Sequence, residues 1–393
     1  MNQPAAHSDL SPASPGDSRE GKQNFDVVLL VTTLGGGGTE RYAKDLAVGF
    51  TQRGIRCLVV ADSEPLSRLA TLEEAGVSVK VLGVDRQWSR RRYIDTLSEI
   101  FRDSGAQVIN AHTWARGEWQ VLAAEKAGIP IIRTHHHTFS PLQLNDWLGI
   151  NRQPFWLYRM RHFARRHPVP IICVARLALP RLRRVLGNGF PAGAVHSLLR
   201  VPPEPEGGVP PPAAPAILWI GQFVPRKRPG DALRVFELVQ RMIPDVRLVM
   251  LGTGPLHARI AKRAAAISPH IEVVGYTTDI WSYIRRSRVS LQTSELEGLS
   301  HALVEAMGCG LPAVATSAGA TAEVVIDGVT GYIAPIGDVE KLAAGITKLL
   351  GNPDLYEEMS QRVRQLAAEE FSVEATIEGT LNLYTEFCSF RRP

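Results

Sequence analysis

Two glutamates in the C-terminal half of the chain have a spacing that could serve a phosphorylated ligand. Glu297 follows the segment Val289–Gln292, which predicts a strand, and Glu305 lies eight residues further on. Between them an amphipathic helix pattern opens near Ser300, a residue type that can cap a helix. We therefore expect Glu297 in the strand-to-helix loop, at the sheet end where α/β proteins bind ligands, and Glu305 in the first turns of the helix.

The start of this helix would add backbone groups to the two carboxylates. A helix N-terminus offers unpaired N–H groups and a positive dipole end to an anion. One element could thus present a carboxylate to hydroxyl groups, a second carboxylate to a ribose and amides to a phosphate. Two solvent-exposed glutamates without such a role are the alternative interpretation.

Histidines follow two strands of the N-terminal half. His112 comes directly after the predicted strand Val108–Ala111. A histidine that ends a buried strand and faces a cleft can donate to a hydroxyl group or polarise a reacting centre. A histidine hydrogen-bonded inside the domain is the alternative. The run His135–His137 ends the next strand, but successive strand side chains alternate faces and converge poorly on a metal, so we expect no metal site.

The elements that carry these residues alternate between strand and helix in two series, separated by the Pro- and Gly-rich stretch 201–215. This pattern predicts parallel βαβ units with right-handed crossovers. The fold class is therefore α/β: two Rossmann-like, doubly wound parallel-sheet domains facing across a cleft. The predicted strands are Asp26–Val31, Arg56–Val60, Val77–Leu82, Val108–Ala111, Pro130–Thr134, Ile171–Val174, Ala216–Ile220, Arg247–Leu251, Ile271–Val274, Val289–Gln292 and Pro312–Ala315.

The expected domain boundaries follow from the same pattern. A polar tail over 1–23 is expected to be disordered, a first domain spans 24–200, and the linker 201–215 acts as a semi-rigid spacer. A second domain spans 216–372, and a helix over 373–393 packs back on the N-terminal domain.

Composition excludes several classes of protein. The chain has 393 residues, 45% hydrophobic and 21% charged, which is typical of a globular protein with two or three domains. It contains no uncharged apolar run of about 18 residues, the length needed for a membrane-spanning helix. The N-terminus lacks the apolar core of a signal peptide. Four dispersed cysteines without a CxxC pair fit a reducing cytosol, and the net charge of +5 favours an anionic partner.

The stretch 151–200 is unusually basic, with ten arginines and neither aspartate nor glutamate. Aromatic residues such as Trp147, Phe155 and Trp156 interleave with or flank it. We favour a docking surface for anionic lipid headgroups, with a solvated basic face as the alternative. Nucleic acid is not expected, because no recognisable nucleic-acid-binding motif accompanies the basic stretch.

The segment Glu297–Glu305 resembles the E-x7-E motif of the GT-B fold retaining glycosyltransferases of family 4. Four further segments resemble motifs of the same family in the same order along the chain: Gly36–Arg41 (GGGTER), Gly221–Lys227 (GQFVPRK), Gly252–Pro255 (GTGP) and Pro312–Val324 (PAVATSAGATAEV). The similarity is most specific between Ile217 and Tyr332 and weakest between Phe139 and Pro215. No single motif is decisive, but five in the right order identify the family.

The resemblance implies a role for each matching residue of the C-terminal domain. Lys227 would sit on the donor diphosphate, and Gln222 stands where the family usually has an arginine beside it. Glu297 would hold hydroxyl groups of the donor sugar and Glu305 those of the ribose. The donor-binding amides implied by the motif belong to Gly298, Leu299 and Ser300.

The remaining implied positions lie on both domains. Gly37 and Gly38 would approach the donor from the N-terminal domain, with glycine needed for a close backbone approach. His112 matches the histidine beneath the transferred sugar, and His136 matches an acceptor-side histidine. Tyr276 falls where the family places the nucleotide base.

The implied function is that of a retaining, metal-independent hexosyltransferase with no cofactor. It would move a sugar from a nucleotide-diphosphate donor, most often UDP, to a glycan acceptor. The basic stretch favours a lipid-linked acceptor in bacterial surface polysaccharide or lipopolysaccharide biosynthesis, which implies a cytoplasmic enzyme, peripheral on the inner membrane.

Two alternative functions remain open from the sequence. One is a nucleotide-sugar-binding protein without catalytic activity, in which Gln222 in place of the family arginine would be the first loss from the catalytic site. The other is an NAD-dependent oxidoreductase, since strand, glycine run and helix superficially resemble a dinucleotide fingerprint, with Asp62 placed for a ribose contact. Against the second, Glu40 occupies the third glycine position, where a carboxylate would repel a pyrophosphate.

Overall fold

The computed structural model describes residues 24–35, 38–112, 116–136, 162–196, 201–202, 214–277 and 279–393. The expected disordered tail 1–23, Gly37 and most of the expected linker lie outside these ranges. Two parallel sheets, of seven and six strands, organise the described residues, and the predicted fold class is confirmed.

The first sheet has the strand order β3-β2-β1-β4-β5-β6-β7, with every neighbouring pair parallel. The strand Val27–Val31 is wholly apolar and buried, as expected for a parallel strand covered by helices on both faces. The strands are β1 Val27–Val31, β2 Cys57–Ala61, β3 Ser78–Val81, β4 Val108–Ala111, β5 Ile131–His135, β6 Ile171–Cys173 and β7 Ala192–Ala194. The helices that accompany them are α1 Gly38–Gln52, α2 Leu69–Glu74, α3 Arg90–Ser104, α4 Gly117–Ala127 and α5 Ala178–Leu186.

The second sheet has the order β10-β9-β8-β11-β12-β13, also parallel throughout. Its strands are β8 Ala216–Ile220, β9 Arg247–Leu251, β10 Ile271–Gly275, β11 Val289–Gln292, β12 Ala313–Thr316 and β13 Gly331–Ala334. The remaining helices are α6 Pro229–Met242, α7 His257–Ile267, α8 Ile280–Arg285, α9 His301–Gly308, α10 Thr321–Val324, α11 Val339–Leu350, α12 Pro353–Glu370 and α13 Val373–Cys388. None of the helices in the described ranges has the length and hydropathy needed to cross a bilayer.

The C-terminal helix α13 packs on the first domain rather than on the second sheet. Ile377, Leu381 and Tyr384 are buried in the cluster that also contains Val27 and Leu29 of β1. The Tyr384 hydroxyl accepts a hydrogen bond from Asn110 Nδ2 at 2.6 Å, which ties the helix to β4. The chain therefore returns to the N-terminal half after completing the second sheet.

Both sheets reverse their winding direction at one point, between β1 and β4 in the first and between β8 and β11 in the second. In open α/β sheets, ligands bind outside the carboxyl ends of the strands at this switch point. A functional site is therefore expected in the loops that follow these four strands.

Candidate active site

The two switch points face each other through the first turns of α1 and α9. Gly38 begins α1 and His301 begins α9. A Cβ atom added to Gly38 would lie 2.9 Å from Nε2 of His301, so only glycine fits without displacing that ring. Two helix N-termini, each with a positive dipole end, thus meet across the interdomain cleft.

Lys227 and Glu297 meet directly in this cleft. The Lys227 ammonium forms an ion pair with Oε1 of Glu297, and the Ser294 hydroxyl donates to the same oxygen at 2.6 Å. Glu297 is only 6% exposed, so the lysine and the hydroxyl compensate a carboxylate that is largely removed from water.

The backbone around Lys227 is fixed by a buried threonine. Lys227 ends a short 3-10 turn that starts at Pro225. Thr293, just after β11, donates its hydroxyl to the Lys227 carbonyl at 2.9 Å and accepts from the Trp219 indole N–H at 3.1 Å. Strands β8 and β11 therefore jointly position the lysine at the switch point.

The Glu297 loop rests on a glycine from the neighbouring loop. Gly319 has φ +58°, and a Cβ atom there would lie 1.9 Å from the Glu297 carbonyl oxygen. On the other side of the same loop, the Thr316 hydroxyl donates to the Ser294 carbonyl at 2.5 Å. Backbone packing and a hydrogen bond from the end of β12 thus fix the loop between β11 and α9.

Replacing Gly319 with alanine should therefore destabilise the protein and displace the Glu297 loop. The left-handed backbone alone costs a non-glycine residue about 1–2 kcal/mol, and the clash raises the expected loss to about 3 kcal/mol or more. Gly328 is the matched control, because it has φ +77° and no atom within 4 Å of an added Cβ. Equal losses of unfolding free energy in Gly319→Ala and Gly328→Ala would show that the Glu297 loop can move away from the added Cβ atom without a free-energy penalty.

Glu305 forms an ion pair with a residue of the N-terminal domain. It lies in the second turn of α9, where Arg41 of α1 forms an ion pair with its Oε1. The Arg41 guanidinium also lies 5.9 Å from the centroid of the Trp281 ring. Burial raises the pKa of the Glu305 carboxyl, and the adjacent Arg41 partly offsets that rise.

The start of α9 differs in one respect from the expectation. Ser300 occupies the N-cap position with extended backbone, but its side chain makes no capping hydrogen bond, so the expected cap is wrong. The Ser300 carbonyl still accepts the first intrahelical bond, from Val304 N–H at 3.1 Å. The hydroxyl leaves the amides of the first turn to other partners, which suits an anion site. Gly298 and Leu299 lie in the loop just before it.

His301 is held in the neutral form between the charged groups of the cleft. Burial lowers its pKa to about 4, and the positive charges of Arg41 and Lys227 act in the same direction. A neutral imidazole at this position adds no charge beside the ion pairs Lys227–Glu297 and Arg41–Glu305.

This shift predicts that acid destabilises the protein through His301. The folded-state pKa lies below the unfolded value of about 6.5, so the unfolded chain binds the proton preferentially and stability falls as the pH drops from about 6.5 toward 4. His301→Asn should remove about 1 kcal/mol of the loss measured between pH 7 and 5.5. His162→Asn, at an exposed position, controls for the loss of a histidine. An unchanged profile in His301→Asn would contradict the assignment.

His112 and His136 lie together on the N-terminal side. Nδ1 of His112 is 3.2 Å from Nε2 of His136, and both rings contact the buried Tyr42 of α1. His112 is 3% exposed, and burial lowers its pKa to about 3. His112 can therefore act as a neutral hydrogen-bonding group at the end of β4, with His136 beside it.

Two of the remaining predicted positions are exposed to solvent. Gln222 is exposed, and its side-chain oxygen accepts from Arg226 at 3.2 Å. Tyr276 follows the edge strand β10 and is 76% exposed. Gly37 lies outside the described residues. Asp62, considered above for a ribose contact, is buried and accepts from the Tyr93 hydroxyl at 2.9 Å, so it belongs to the interior of the first domain.

Arg41, His301 and Ser294 were not predicted as site residues. Arg41 stands inside the Gly36–Arg41 motif, which was the available signal, but its partner Glu305 is 264 residues away. Within the described ranges, no group of three or more His, Cys, Asp or Glu residues could hold a metal ion.

Comparison with known proteins agrees with this architecture. Residues 205–366 match the family model described as glycosyl transferases group 1, and residues 36–198 match the model described as glycosyltransferase family 4. N-acetyl-alpha-D-glucosaminyl L-malate synthase of Bacillus anthracis is 28% identical over 170 residues, which are 43% of this chain and 44% of that protein. The lipopolysaccharide core biosynthesis glycosyltransferase LpsE of Rhizobium meliloti is 27% identical over 212 residues, 53% of this chain and 60% of that protein.

Both of these matches span less than two thirds of the relative's own length. Among solved structures, Anabaena HepE in complex with UDP and glucose superposes with a TM-score of 0.76, covering 93% of this chain and 100% of that chain. Its sequence identity is 17%, so the likeness concerns the fold alone. The family predicted from the five motifs is confirmed, and the chain belongs to the group 1 glycosyltransferases of family 4.

Proposed function

We propose that the protein transfers a sugar from a nucleotide-diphosphate donor to a hydroxyl group of a glycan, with retention of anomeric configuration. The observation that carries this proposal is the convergence of Lys227, Glu297 and Glu305 on one interdomain cleft, beside the N-termini of α1 and α9. Cations and free amides suit a diphosphate, while buried carboxylates suit hydroxyl groups.

Each of these groups has a task in the proposed reaction. Lys227 would offset the charge that builds on the departing diphosphate, and the first amides of α9 would bind its oxygens. Glu297 would hold hydroxyl groups of the donor sugar and Glu305 those of the ribose. Exposed Tyr276, at the end of β10, would lie against the base.

Retention would proceed by attack from the face of the departing phosphate. In this mechanism the acceptor hydroxyl approaches the side that the diphosphate leaves, and a phosphate oxygen takes its proton. The adjacent His112 and His136 would orient the transferred sugar and the acceptor. Lysine and backbone amides can neutralise the diphosphate, so the proposed reaction uses neither metal nor cofactor.

The donor is proposed to be a UDP-sugar and the acceptor a lipid-linked glycan of surface polysaccharide or lipopolysaccharide assembly. HepE, which shares the fold, was solved with UDP and glucose, and LpsE acts in lipopolysaccharide core biosynthesis, which supports both choices. Exposed arginines of the first domain, Arg165, Arg166, Arg183 and Arg184, would contact anionic headgroups at the cytoplasmic face of the membrane. Equal sedimentation with anionic and zwitterionic vesicles would refute that contact.

The proposed donor is tested by thermal shift against UDP, GDP, ADP and their common sugars, because a ligand that binds the native state raises its melting temperature. We expect UDP and a UDP-sugar to give the largest shift. Release of nucleoside diphosphate in the presence of glycan acceptors then separates an enzyme from a silent nucleotide-sugar binder. The absence of any shift with all three nucleotides would refute the proposal.

A further inference from the structure

Two cations in the cleft, Lys227 and Arg41, are each paired with one of the two glutamates of the E-x7-E segment. Lys227 pairs with Glu297 inside the C-terminal domain, whereas Arg41 pairs with Glu305 across the domain boundary. Both carboxylates are buried, so each needs its cation as long as no ligand is bound.

The two pairs lie close to one another around the start of α9. Glu305 is four residues after His301 and therefore on the same face of the helix, about one turn away. Arg41 is three residues after Gly38, which contacts His301. The charges of both Arg41 and Lys227 lower the pKa of His301, which agrees with two cations flanking this ring.

The turn that carries Lys227 supplies little further positive charge to the cleft. Gln222 is neutral and exposed, and Arg226 is exposed and donates to it. Arg228 is held by Asp231 at 2.6 Å and faces Glu295 at 3.7 Å. A diphosphate carries more than one negative charge, so Lys227 alone leaves part of that charge uncompensated on this side.

We propose that Arg41 is the second cation of the diphosphate site and that donor binding exchanges the two ion pairs. On binding, Arg41 leaves Glu305 and Lys227 leaves Glu297, and both cations move to phosphate oxygens. The two carboxylates become available to the hydroxyl groups of the ribose and the sugar. This inference rests on the proposed function, and it explains how buried carboxylates are kept satisfied before the donor arrives.

The exchange would also couple the two domains to the donor. Arg41 belongs to α1 and Lys227 to the turn after β8, so the diphosphate would be bridged by one cation from each domain. A cation from the N-terminal domain can contribute to donor affinity only when the cleft is closed.

The test compares Arg41→Ala with the wild type by calorimetric titration of UDP, with GDP and ADP in parallel and uridine as the ligand without phosphate. A charge-assisted hydrogen bond predicts a loss of about 10- to 100-fold in UDP affinity, with little change for uridine. Gln222→Arg in the Arg41→Ala background should recover part of the loss, because it supplies an exposed cation on the Lys227 turn. Arg53→Ala, just beyond the end of α1, is the matched control and should bind UDP as the wild type does.

The outcomes separate this inference from its rivals. Unchanged or tighter UDP binding by Arg41→Ala would overturn it, because Arg41 would then only compete with the ribose for Glu305. An equal loss for UDP and uridine would also overturn it, because Arg41 would then act through Glu305 or the fold. Arg41→Lys keeps the charge and should retain most of the UDP affinity, which guards against misfolding of the alanine variant. A wild type that binds none of the three nucleotides would instead refute the proposed function itself.

Discussion

Lys227→Ala is expected to slow sugar transfer by about 100- to 1000-fold, the range measured when one preorganised donor to a developing anion is removed. The Thr293 hydroxyl fixes the Lys227 backbone, and the Lys227 ammonium lies in the cleft against Glu297 before the donor binds, so the side chain has only to turn from that carboxylate to the phosphate. The charge on the diphosphate grows as the sugar departs, so turnover should fall more than the KM for the donor rises. Transfer rates at saturating and limiting donor concentrations measure the two effects separately.

Comparing Lys227→Ala with a double variant that replaces both ion-pair partners separates the effect of Lys227 on catalysis from its effect on stability. Lys227→Ala leaves the buried Glu297 carboxylate without its cation, which should cost about 3–5 kcal/mol of unfolding free energy. Replacing both partners, in Lys227→Met with Glu297→Gln, should recover most of that stability but none of the turnover. Lys262→Ala, at an exposed position on α7, controls for the loss of a lysine. A Lys227→Ala enzyme that retains turnover would refute the site assignment.

The parallel strands were the most predictable part of the fold. The bounds of β4, β8, β9 and β11 coincide with the predicted strands, because a run of mostly apolar residues is typical of a strand buried on both faces. β7, Ala192–Ala194, was not predicted, since three small residues form no such run. β13 was also missed, because it begins at Gly331, a residue type that favours a turn over a strand.

Short helices escaped the sequence pattern for a related reason. α8 and α10 have six and four residues, too few for the apolar period of a helix to repeat. Both are nevertheless close to the site. Trp281 of α8 lies beside Arg41, and α10 follows the Gly319 turn that supports the Glu297 loop.

The carboxylates of the site could be located from the sequence, but their partners could not. Glu297 and Glu305 are placed by local spacing along one loop and one helix. The Arg41–Glu305 pair depends instead on how two separately folded domains sit against each other, which no local pattern encodes. The missing Ser300 cap has a different origin, because the residue type permits a cap that the loop geometry does not form.

Glu305→Gln is expected to weaken nucleotide binding by about 10- to 100-fold, since it removes the charged acceptor proposed for the ribose hydroxyls. The amide keeps the volume of the buried side chain and can still accept from Arg41, so the fold should survive. In the wild type, 2′,3′-dideoxy-UDP should bind more weakly than UDP by a similar factor. In Glu305→Gln the two nucleotides should bind almost equally, because the group that distinguishes them is gone.

The same residue gives UDP binding a pH dependence with a defined sign. Burial raises the pKa of Glu305, so the carboxyl takes up a proton at a higher pH than an exposed glutamate would. The protonated form is no longer an anionic acceptor for ribose, so UDP affinity should fall as the pH is lowered through this raised pKa. Glu305→Gln should flatten that part of the profile, while Glu340→Gln, at an exposed position on α11, should leave it unchanged. If Glu305→Gln still binds UDP more tightly than 2′,3′-dideoxy-UDP, another group recognises the ribose hydroxyls. The ribose would then lie elsewhere in the cleft, away from the Glu305 carboxylate.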